Sequence, residues 1–427
     1  MTTATTAGGY GKLVRENANF RHLWYGQIVS LLGDWFNLIA SASLIASLTG
    51  SGAAIGGLFV VRMLAPFLIS PFAGVAADRY NRKHLLIVTD LVRGVVVLGF
   101  LLVRDAGDVW LLYALTALQL GISGFFFPTR NAILPDIVDR PQLGAANALS
   151  SATWSVMLAV GTALGGLVSG QFGVYPAFII DALTFLASAI ILARITYTHV
   201  PGLAAQSRGV ANILKQYADG LRYLRDHPAT LAVASQKAIN SLFFSGGFQV
   251  IQVIIGERIF VMGEGGGISL GLLFALTGIG TGLGPIWMRR FTGDRPQPMR
   301  VAIAISYFIA VAGIAMTAPL VAFWLVLVGM LLRGFGGGVI WVFSTQLLYE
   351  SVPDQVRGRV FATEFAMFTL ASAISAGAVG WGLDNLSAGL SGVIWWMAIL
   401  GVIPGVLWSI WTWRTADTPL ASASADD

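Results

Sequence analysis

The sequence of 427 residues contains no cysteine and only four histidines. The absence of cysteine excludes disulfides, thiolate metal sites and a cysteine nucleophile. The histidines show no metal-ligand spacing, and no Ser-His-Asp or paired-carboxylate pattern stands out. A G-x-x-x-x-G-K-[ST] phosphate loop is also missing, so ATP is not expected to drive the protein directly. We therefore expect a protein that is not an enzyme and that uses neither a cofactor nor a metal.

Charged residues are scarce as well. They make up 11% of the chain, against about a quarter in a soluble domain, while 56% of the residues are hydrophobic. The mean hydropathy is +0.75. This balance predicts a protein embedded in lipid. The net charge of +5 does not indicate nucleic-acid binding, because the positive residues follow the membrane topology described below.

Twelve apolar stretches are long enough to cross about 30 Å of hydrocarbon. The segment before the first stretch is polar and lacks the apolar core of a cleaved signal peptide. We therefore expect an all-α integral membrane protein with 12 transmembrane helices. The predicted spans are 22–48, 53–77, 84–103, 109–131, 145–170, 174–197, 229–256, 268–289, 300–320, 322–348, 360–385 and 391–413.

The positions of lysine and arginine orient these spans. With the N-terminus inside, 20 of the 26 fall in cytoplasmic segments, Arg104 and Arg258 fall in external ones, and four lie at membrane depth. Positive residues are retained on the cytoplasmic side during insertion. The pattern predicts a multi-pass protein with both termini in the cytoplasm.

The longest polar connection divides the spans into two sets of six. A Pro-Asp pair follows the fourth span of each set, so we expect two pseudo-symmetric bundles. The linker has apolar and basic residues at helical spacing, which is typical either of an amphipathic helix on the inner leaflet or of a helix packed on the bundles. The predicted parts are a cytoplasmic segment (1–21), the first bundle (22–197), the linker (198–228), the second bundle (229–414) and a cytoplasmic tail (415–427).

The connection between spans 2 and 3 carries the most distinctive motif. Gly74 to Lys83 reads G-V-A-A-D-R-Y-N-R-K, and we expect it to form a short cytoplasmic loop. The motif resembles the loop 2–3 motif of the major facilitator superfamily. Asn19 to Trp24, Asp181 to Phe185 and Pro353 to Val360 are similar to its bacterial branch of macrolide-efflux and enterobactin exporters. The resemblance implies two six-helix bundles, alternating access and drug:proton antiport, in a bacterial inner-membrane protein that works as a monomer.

Ionisable residues within the spans need a reason, because each costs at least ~2.5–3.5 kcal/mol on insertion scales. Asp34 and Arg62 lie at similar depth, and we predict that they form an ion pair. Asp34 is then either a proton carrier or one member of a permanent structural pair. Asp181 is a second carrier candidate, and otherwise a hydrogen-bonded packing residue.

A second group of charges is the candidate conformational latch. Asp90 and Arg93 lie one turn apart in span 3, and we expect them to contact Arg79 or Arg82 in a cytoplasmic cluster. By the resemblance, the loop 2–3 charges hold the cytoplasmic side shut in the outward-open state. The predicted latch residues are Gly74, Asp78, Arg79, Arg82, Asp90, Arg93 and Glu364.

Polar and aromatic side chains in several spans are candidates for a substrate cavity. Mixed aromatic and amide linings suit bulky amphipathic ligands. Lys237 and Arg333 either recognise an anionic group, or snorkel or bind backbone carbonyls. The candidate cavity residues are Trp35, Asn37, Gln119, Phe126, Lys237, Asn240, Phe243, Gln249, Arg333, Trp341 and Gln346.

Together these features predict a secondary-active, proton-coupled exporter of drug-, macrolide- or siderophore-like amphipathic compounds. Its expected partners are the small substrate, protons and membrane lipids, without nucleic acid. The alternative is a lipid or lysolipid flippase, or an importer of an anionic amphiphile, without obligatory proton coupling. That alternative rests on Lys237 and Arg333, and on Thr162, which stands where exporters of the resembling family usually carry proline.

Overall fold

Helices make up nearly all of the computed structural model, which describes residues 7–139, 142–197 and 210–415. Within these ranges no β-strand occurs, and twelve helical segments are long and apolar enough to cross a membrane. The predicted all-α membrane fold is confirmed. The helices are α1 (Ala7–Glu16), α2 (Ala18–Thr49), α3 (Gly52–Arg79), α4 (Arg82–Leu98), α5 (Val109–Ile137), α6 (Leu143–Phe172), α7 (Val174–Ala193), α8 (Val210–Asp226), α9 (Pro228–Ala234), α10 (Gln236–Asn240), α11 (Phe248–Ile254), α12 (Gly267–Thr292), α13 (Pro296–Thr317), α14 (Phe323–Ser351), α15 (Asp354–Asn385) and α16 (Gly389–Arg414).

The connection between α3 and α4 is shorter than predicted. Helix α3 continues to Arg79 and α4 begins at Arg82, so only Tyr80 and Asn81 separate them. The prediction of a loop over Gly74 to Lys83 is wrong because the alanine-rich end of α3 has good helix propensity and contains no proline. The Asn81 side chain then caps α4 by accepting a hydrogen bond from the His84 backbone N–H at 3.3 Å.

The seventh predicted span is a broken helix. Between α9 and Ile259 the chain passes through α10, α11 and two π-helical turns, Ser241–Ser245 and Ile255–Ile259. Backbone groups freed inside a membrane must find other partners. The hydroxyl of Ser375 in α15 pairs with one freed donor and one freed acceptor. It accepts a hydrogen bond from the Gly247 N–H at 2.9 Å and donates one to the Leu242 carbonyl at 2.7 Å.

The described chain forms two compact units. The first contains the described residues of 1–48, 65–210 and 262–271, and the second those of 49–64, 211–261 and 272–427. The units thus differ from the two sequence halves by the segments 49–64 and 262–271. Buried residues of the first core include Phe20, Leu86, Ile133 and Leu192. Those of the second include Phe248, Tyr307, Met330 and Phe343.

The start of α3 is capped by Asp384, near the end of α15 in the same unit. The carboxylate accepts hydrogen bonds from the Ser51 hydroxyl (2.6 Å) and from the backbone N–H groups of Gly52 (2.7 Å) and Ala53 (2.9 Å). These N–H groups have no partner within the helix. Gly52 also lets the helices touch, because a Cβ there would lie 2.9 Å from the Gly380 carbonyl.

Asp384→Ala is expected to destabilise the protein by about 0.5–2 kcal/mol, the usual effect of removing an N-terminal cap. The midpoint of thermal unfolding in detergent measures this change. Asn385→Ala is the matched control, since its exposed amide donates to the Trp381 carbonyl of its own helix. Equal midpoints for the two variants would contradict the role of the cap.

Helices α12 and α14 approach each other through paired glycines. Gly280 and Gly284 of α12 face the α14 backbone, and Gly334 and Gly338 of α14 face the α12 backbone. A Cβ at Gly338 would lie 2.8 Å from the Cα of Thr281. This Gly-x-x-x-Gly spacing on both helices permits backbone contact within the bilayer.

The linker helix α8 packs on the second unit over its described side chains. A Cβ at Gly220 would lie 2.6 Å from the Arg359 carbonyl of α15, and Leu224 is buried in the second core. Asp219 lies 3.9 Å from the Arg359 guanidinium. For this part of α8, the contacts favour a helix packed on the bundle over one that only lies on the membrane.

Candidate functional site

Arg93 is the centre of a buried charge cluster in the first unit. Its side chain is 1% exposed, and its guanidinium donates a hydrogen bond to the Asp34 carboxylate of α2. The Arg93 Nη1 atom lies 3.5 Å from Oδ1 of Asp90, one turn earlier in α4. The Phe185 ring of α7 covers the guanidinium at 4.1 Å from the ring centroid. Three helices therefore meet at one cation.

Asp181 of α7 extends this cluster. It is fully buried, and the Gln119 amide of α5 donates to its Oδ2 at 3.5 Å. Gly33 of α2 makes the arrangement possible, because a Cβ there would collide with the Asp181 carboxylate and the Thr184 hydroxyl. We call Asp34, Asp90, Arg93 and Asp181 the Arg93 cluster.

The Arg93 cluster contains more acid than base. Three carboxylates and one guanidinium give a formal charge of −2 when all four groups are ionised. Ionised groups at membrane depth are costly, so an acid-rich cluster at this position calls for a functional explanation. Asp34 is the accessible member, with 22% of its side chain exposed, while Asp90 and Asp181 are fully buried.

The structure shows a partner of Asp34 that the sequence interpretation did not predict. Depth along the spans suggested Arg62, and the structure shows a contact with Arg93. Arg62 belongs to the second unit, and its pairing with Asp34 stays a prediction. The Asp90-x-x-Arg93 spacing was the available signal for the observed cluster, but it fits a cytoplasmic cluster equally well.

Arg82, at the start of α4, is paired with the end of α5. Its Nη1 lies 2.6 Å from Asp136 Oδ2 and 3.0 Å from the Ala132 carbonyl. The Tyr197 hydroxyl donates to the same carboxylate oxygen at 2.9 Å. Burial raises the pKa of Tyr197, and the hydrogen bond to Asp136 adds to the rise. Asp136 and Tyr197 are thus charge-cluster residues that the sequence interpretation missed.

The predicted latch residues fall into separate places. Arg93 lies eleven residues beyond Arg82, about 16 Å along the helix, so it contacts Asp34 in place of the expected cytoplasmic partners. Asp90 lies one turn before Arg93 on the same helix, so it too lies away from Arg82 at the start of α4. The side chains of Gly74, Asp78 and Arg79 lie outside the described residues, and their latch role stays a prediction.

Glu364, the last predicted latch residue, forms a buried ion pair in the second unit. Its Oε2 lies 3.0 Å from the Lys237 Nζ of α10, and the two side chains are 2% and 8% exposed. The Trp341 ring lies 4.7 Å from the ammonium group. Lys237 is therefore neutralised by Glu364 in this structure.

Arg333 binds a backbone carbonyl at the break in the seventh span. It donates to the Phe244 carbonyl (3.2 Å), Gln252 Oε1 (3.4 Å) and Thr277 Oγ1 (3.1 Å), and it lies 4.7 Å from the centroid of the Phe248 ring. Within the described part of the chain, its hydrogen-bond partners are all uncharged. Backbone carbonyl binding, one of the two expected roles, is thus observed for Arg333.

Other candidate cavity residues of the first unit contact neighbouring side chains in the protein interior. Trp35 is half-buried and meets Trp154 edge-on at 5.8 Å between ring centroids. Asn37 is buried and accepts a hydrogen bond from Ser41 at 3.1 Å. Phe126 belongs to the first core. Among these, Trp35 keeps accessible aromatic surface next to Asp34.

In the second unit the candidates are spread along α10 to α14. Asn240 is buried, Phe243 packs against the second core, and Gln249 is half-buried. Gln346 donates to Asp294 at 3.2 Å; this hydrogen bond and nearby Arg289 lower the pKa of Asp294. Gln346 therefore lies at the end of α14 next to the α12–α13 loop.

Comparison of the sequence with known families gives one clear match. A model described as Major Facilitator Superfamily matches residues 23–376. BacE of Bacillus subtilis (strain 168), a protein given the name of a bacilysin exporter, is 23% identical over 364 residues, covering 84% of this chain and 87% of the relative. Multidrug resistance protein MdtG of Serratia proteamaculans (strain 568) is 27% identical over 322 residues, covering 72% of each chain.

Solved structures share the fold at low identity. The POT family transporter PepTSo superimposes with a TM-score of 0.72 at 11% identity, covering 94% of this chain and 99% of that one. The nucleoside transporter NupG gives a TM-score of 0.70 at 12% identity, with 92% and 99% coverage. At such identities the likeness shows the architecture and carries no information on substrate.

Proposed function

The chain belongs to the major facilitator superfamily, and we propose that it is a proton-coupled exporter of bulky amphipathic compounds. As a member of this family it is a membrane transporter and not an enzyme. Relatives named as an exporter and as a multidrug resistance protein support the export direction. The observation that carries proton coupling is the excess of carboxylates around Arg93.

Asp34 is the proton-exchanging group in this proposal. It is the accessible acid of the Arg93 cluster, so protons reach it first. When ionised, it holds Arg93 and ties α2 to α4; a proton removes the charge to which Arg93 binds. Loss of this tie biases the bundles toward another orientation, since only a differential interaction shifts a conformational equilibrium. A potential of ~100 mV contributes about 2.3 kcal/mol per charge moved.

The substrate in this proposal is largely apolar with a few polar anchors. Trp35 follows Asp34 directly in α2, and Trp154 of α6 lies beside it. Such aromatic surface next to a carboxylate suits a hydrophobic compound that carries a basic group. Transport would follow alternating access of the two bundles around a midplane site.

Asp34→Asn is expected to abolish proton-driven transport, because the amide cannot exchange a proton. The measurement is uptake of the cationic dye ethidium into sealed proteoliposomes with an imposed pH gradient. Asp226→Asn is the matched control, since it removes the same charge from the exposed end of α8, where Asp226 pairs with its neighbour Arg225. Dye movement that ignores the gradient and survives in Asp34→Asn would overturn the proposal.

Arg333 favours a second candidate, a flippase or importer of an anionic amphiphile such as a lysolipid. Its positive charge is buried among uncharged partners within the described residues, whereas Lys237 is matched by Glu364. Movement of a fluorescent lysophospholipid that is insensitive to pH and is lost in Arg333→Gln would support this candidate over drug export.

A further inference from the structure

Arg93 lies between two carboxylates of different helices. Asp34 of α2 accepts its hydrogen bond, and Asp90 of α4 lies 3.5 Å from its other terminal nitrogen. Asp90 is fully buried, and neither of its carboxylate oxygens has a partner with hydrogen-bond geometry among the described residues. From α7, the Ser188 hydroxyl faces Asp90 and Asp181 faces Arg93. Asp90 therefore forms an ion pair with Arg93, while the hydrogen bond of this cation goes to Asp34.

The spacing along α4 keeps Asp90 within reach of Arg93 whatever happens at Asp34. Residues three apart on a helix are neighbours, and a guanidinium has five N–H donors in a fixed fork. When Asp34 loses its charge, the strongest partner left for Arg93 in the cluster is Asp90. A small rotation of the guanidinium would bring its N–H groups into hydrogen-bond geometry with the Asp90 carboxylate.

We propose that Asp90 is the alternate partner of Arg93, and that it competes with Asp34 for this cation during the transport cycle. When Asp34 is ionised, Arg93 donates its hydrogen bond to Asp34. When Asp34 is protonated, Arg93 donates that hydrogen bond to Asp90. The inference deepens the proposed function and rests on it, because it takes Asp34 as the group that exchanges protons. Asp90 acts through Arg93 and is a positioning residue: it sets the pH at which Asp34 releases Arg93.

The test is the pH dependence of ethidium transport in proteoliposomes by Asp90→Asn. The amide removes both the competition for Arg93 and a negative charge near Asp34, so Asp34 keeps Arg93 more tightly and binds a proton only at lower pH. We expect the half-maximal pH to fall by about one unit, the size of shift that one nearby charge produces. Asp90→Glu retains the acid and is expected to restore the wild-type profile.

Asp181→Asn is the matched comparison. It removes an equally buried charge that lies on α7 and accepts a hydrogen bond from Gln119, whereas Asp90 lies one turn from Arg93 on the same helix, so a smaller shift is expected. An unshifted profile for Asp90→Asn would mean that Asp90 is neutral throughout and would overturn the inference, as would equal shifts in Asp90→Asn and Asp181→Asn. Failure of the proposed function is distinguishable, because wild-type transport would then ignore the pH gradient altogether.

Discussion

Replacing Glu364 by leucine is expected to lower the free energy of unfolding by about 3–5 kcal/mol, the usual effect of leaving one member of a buried ion pair without its partner. The buried Lys237 ammonium would lose the carboxylate 3.0 Å away. The Trp341 ring already lies 4.7 Å from the ammonium group, so its cation–π contact, about 2 kcal/mol when desolvated, does not replace the lost ion pair.

The double variant Lys237→Met with Glu364→Leu is expected to recover most of the loss. Replacement of a buried pair by apolar side chains of similar volume is often neutral or stabilising. Unfolding in detergent, followed by tryptophan fluorescence, measures both variants. The control is Asp226→Ala, which breaks the exposed Arg225–Asp226 pair and is expected to cost less than about 1 kcal/mol. A double variant as unstable as the single one would show that the charges themselves are required.

Gly338→Leu is expected to separate α12 from α14 and to destabilise the second unit by at least ~2 kcal/mol, since overpacking a closed contact costs about 1–3 kcal/mol or more. Even a Cβ at Gly338 would lie 2.8 Å from the Thr281 Cα, and backbone atoms cannot move aside as a side chain can. The same displacement would weaken the bond between Arg333 and Thr277.

Gly282→Leu is the matched control for this prediction. Gly282 lies in α12 between Gly280 and Gly284, yet a Cβ there meets nothing within 4 Å. The substitution therefore tests the same residue change on the same helix without the steric conflict. Thermal midpoints and monodispersity in detergent would report the difference. Similar behaviour of the two variants would show that the paired glycines do not set the helix contact.

Hydropathy predicted the helices because each span must be apolar over the thickness of a bilayer. The first predicted span, 22–48, corresponds to α2 (Ala18–Thr49). The breaks in the seventh span were not predictable in this way, because a π-helical turn leaves the composition unchanged. They depend on Ser375 and Arg333, which come from other helices far along the chain.

The candidate site could be predicted only in part. Position along a span fixes the depth of a side chain, so Asp34 was recognisable as a buried acid. Depth does not fix the rotation of a helix about its axis, so it indicated Arg62 as the partner and left Arg93 assigned to a cytoplasmic cluster. The rotation of α2 follows from close packing at Gly33 against α7, which becomes evident only once the two helices are placed together.

The cap on α3 also has a consequence for biosynthesis. Gly52 and Asp384 are 332 residues apart, so at about 5–20 residues per second the ribosome needs roughly 15 to 65 s between them. During this interval the first N–H groups of α3 must be hydrated at the membrane surface, because their acceptor has not been made. Helix α3, among the first to be inserted, thus receives its cap from α15, among the last. A nascent chain released before α15 would keep the start of α3 uncapped.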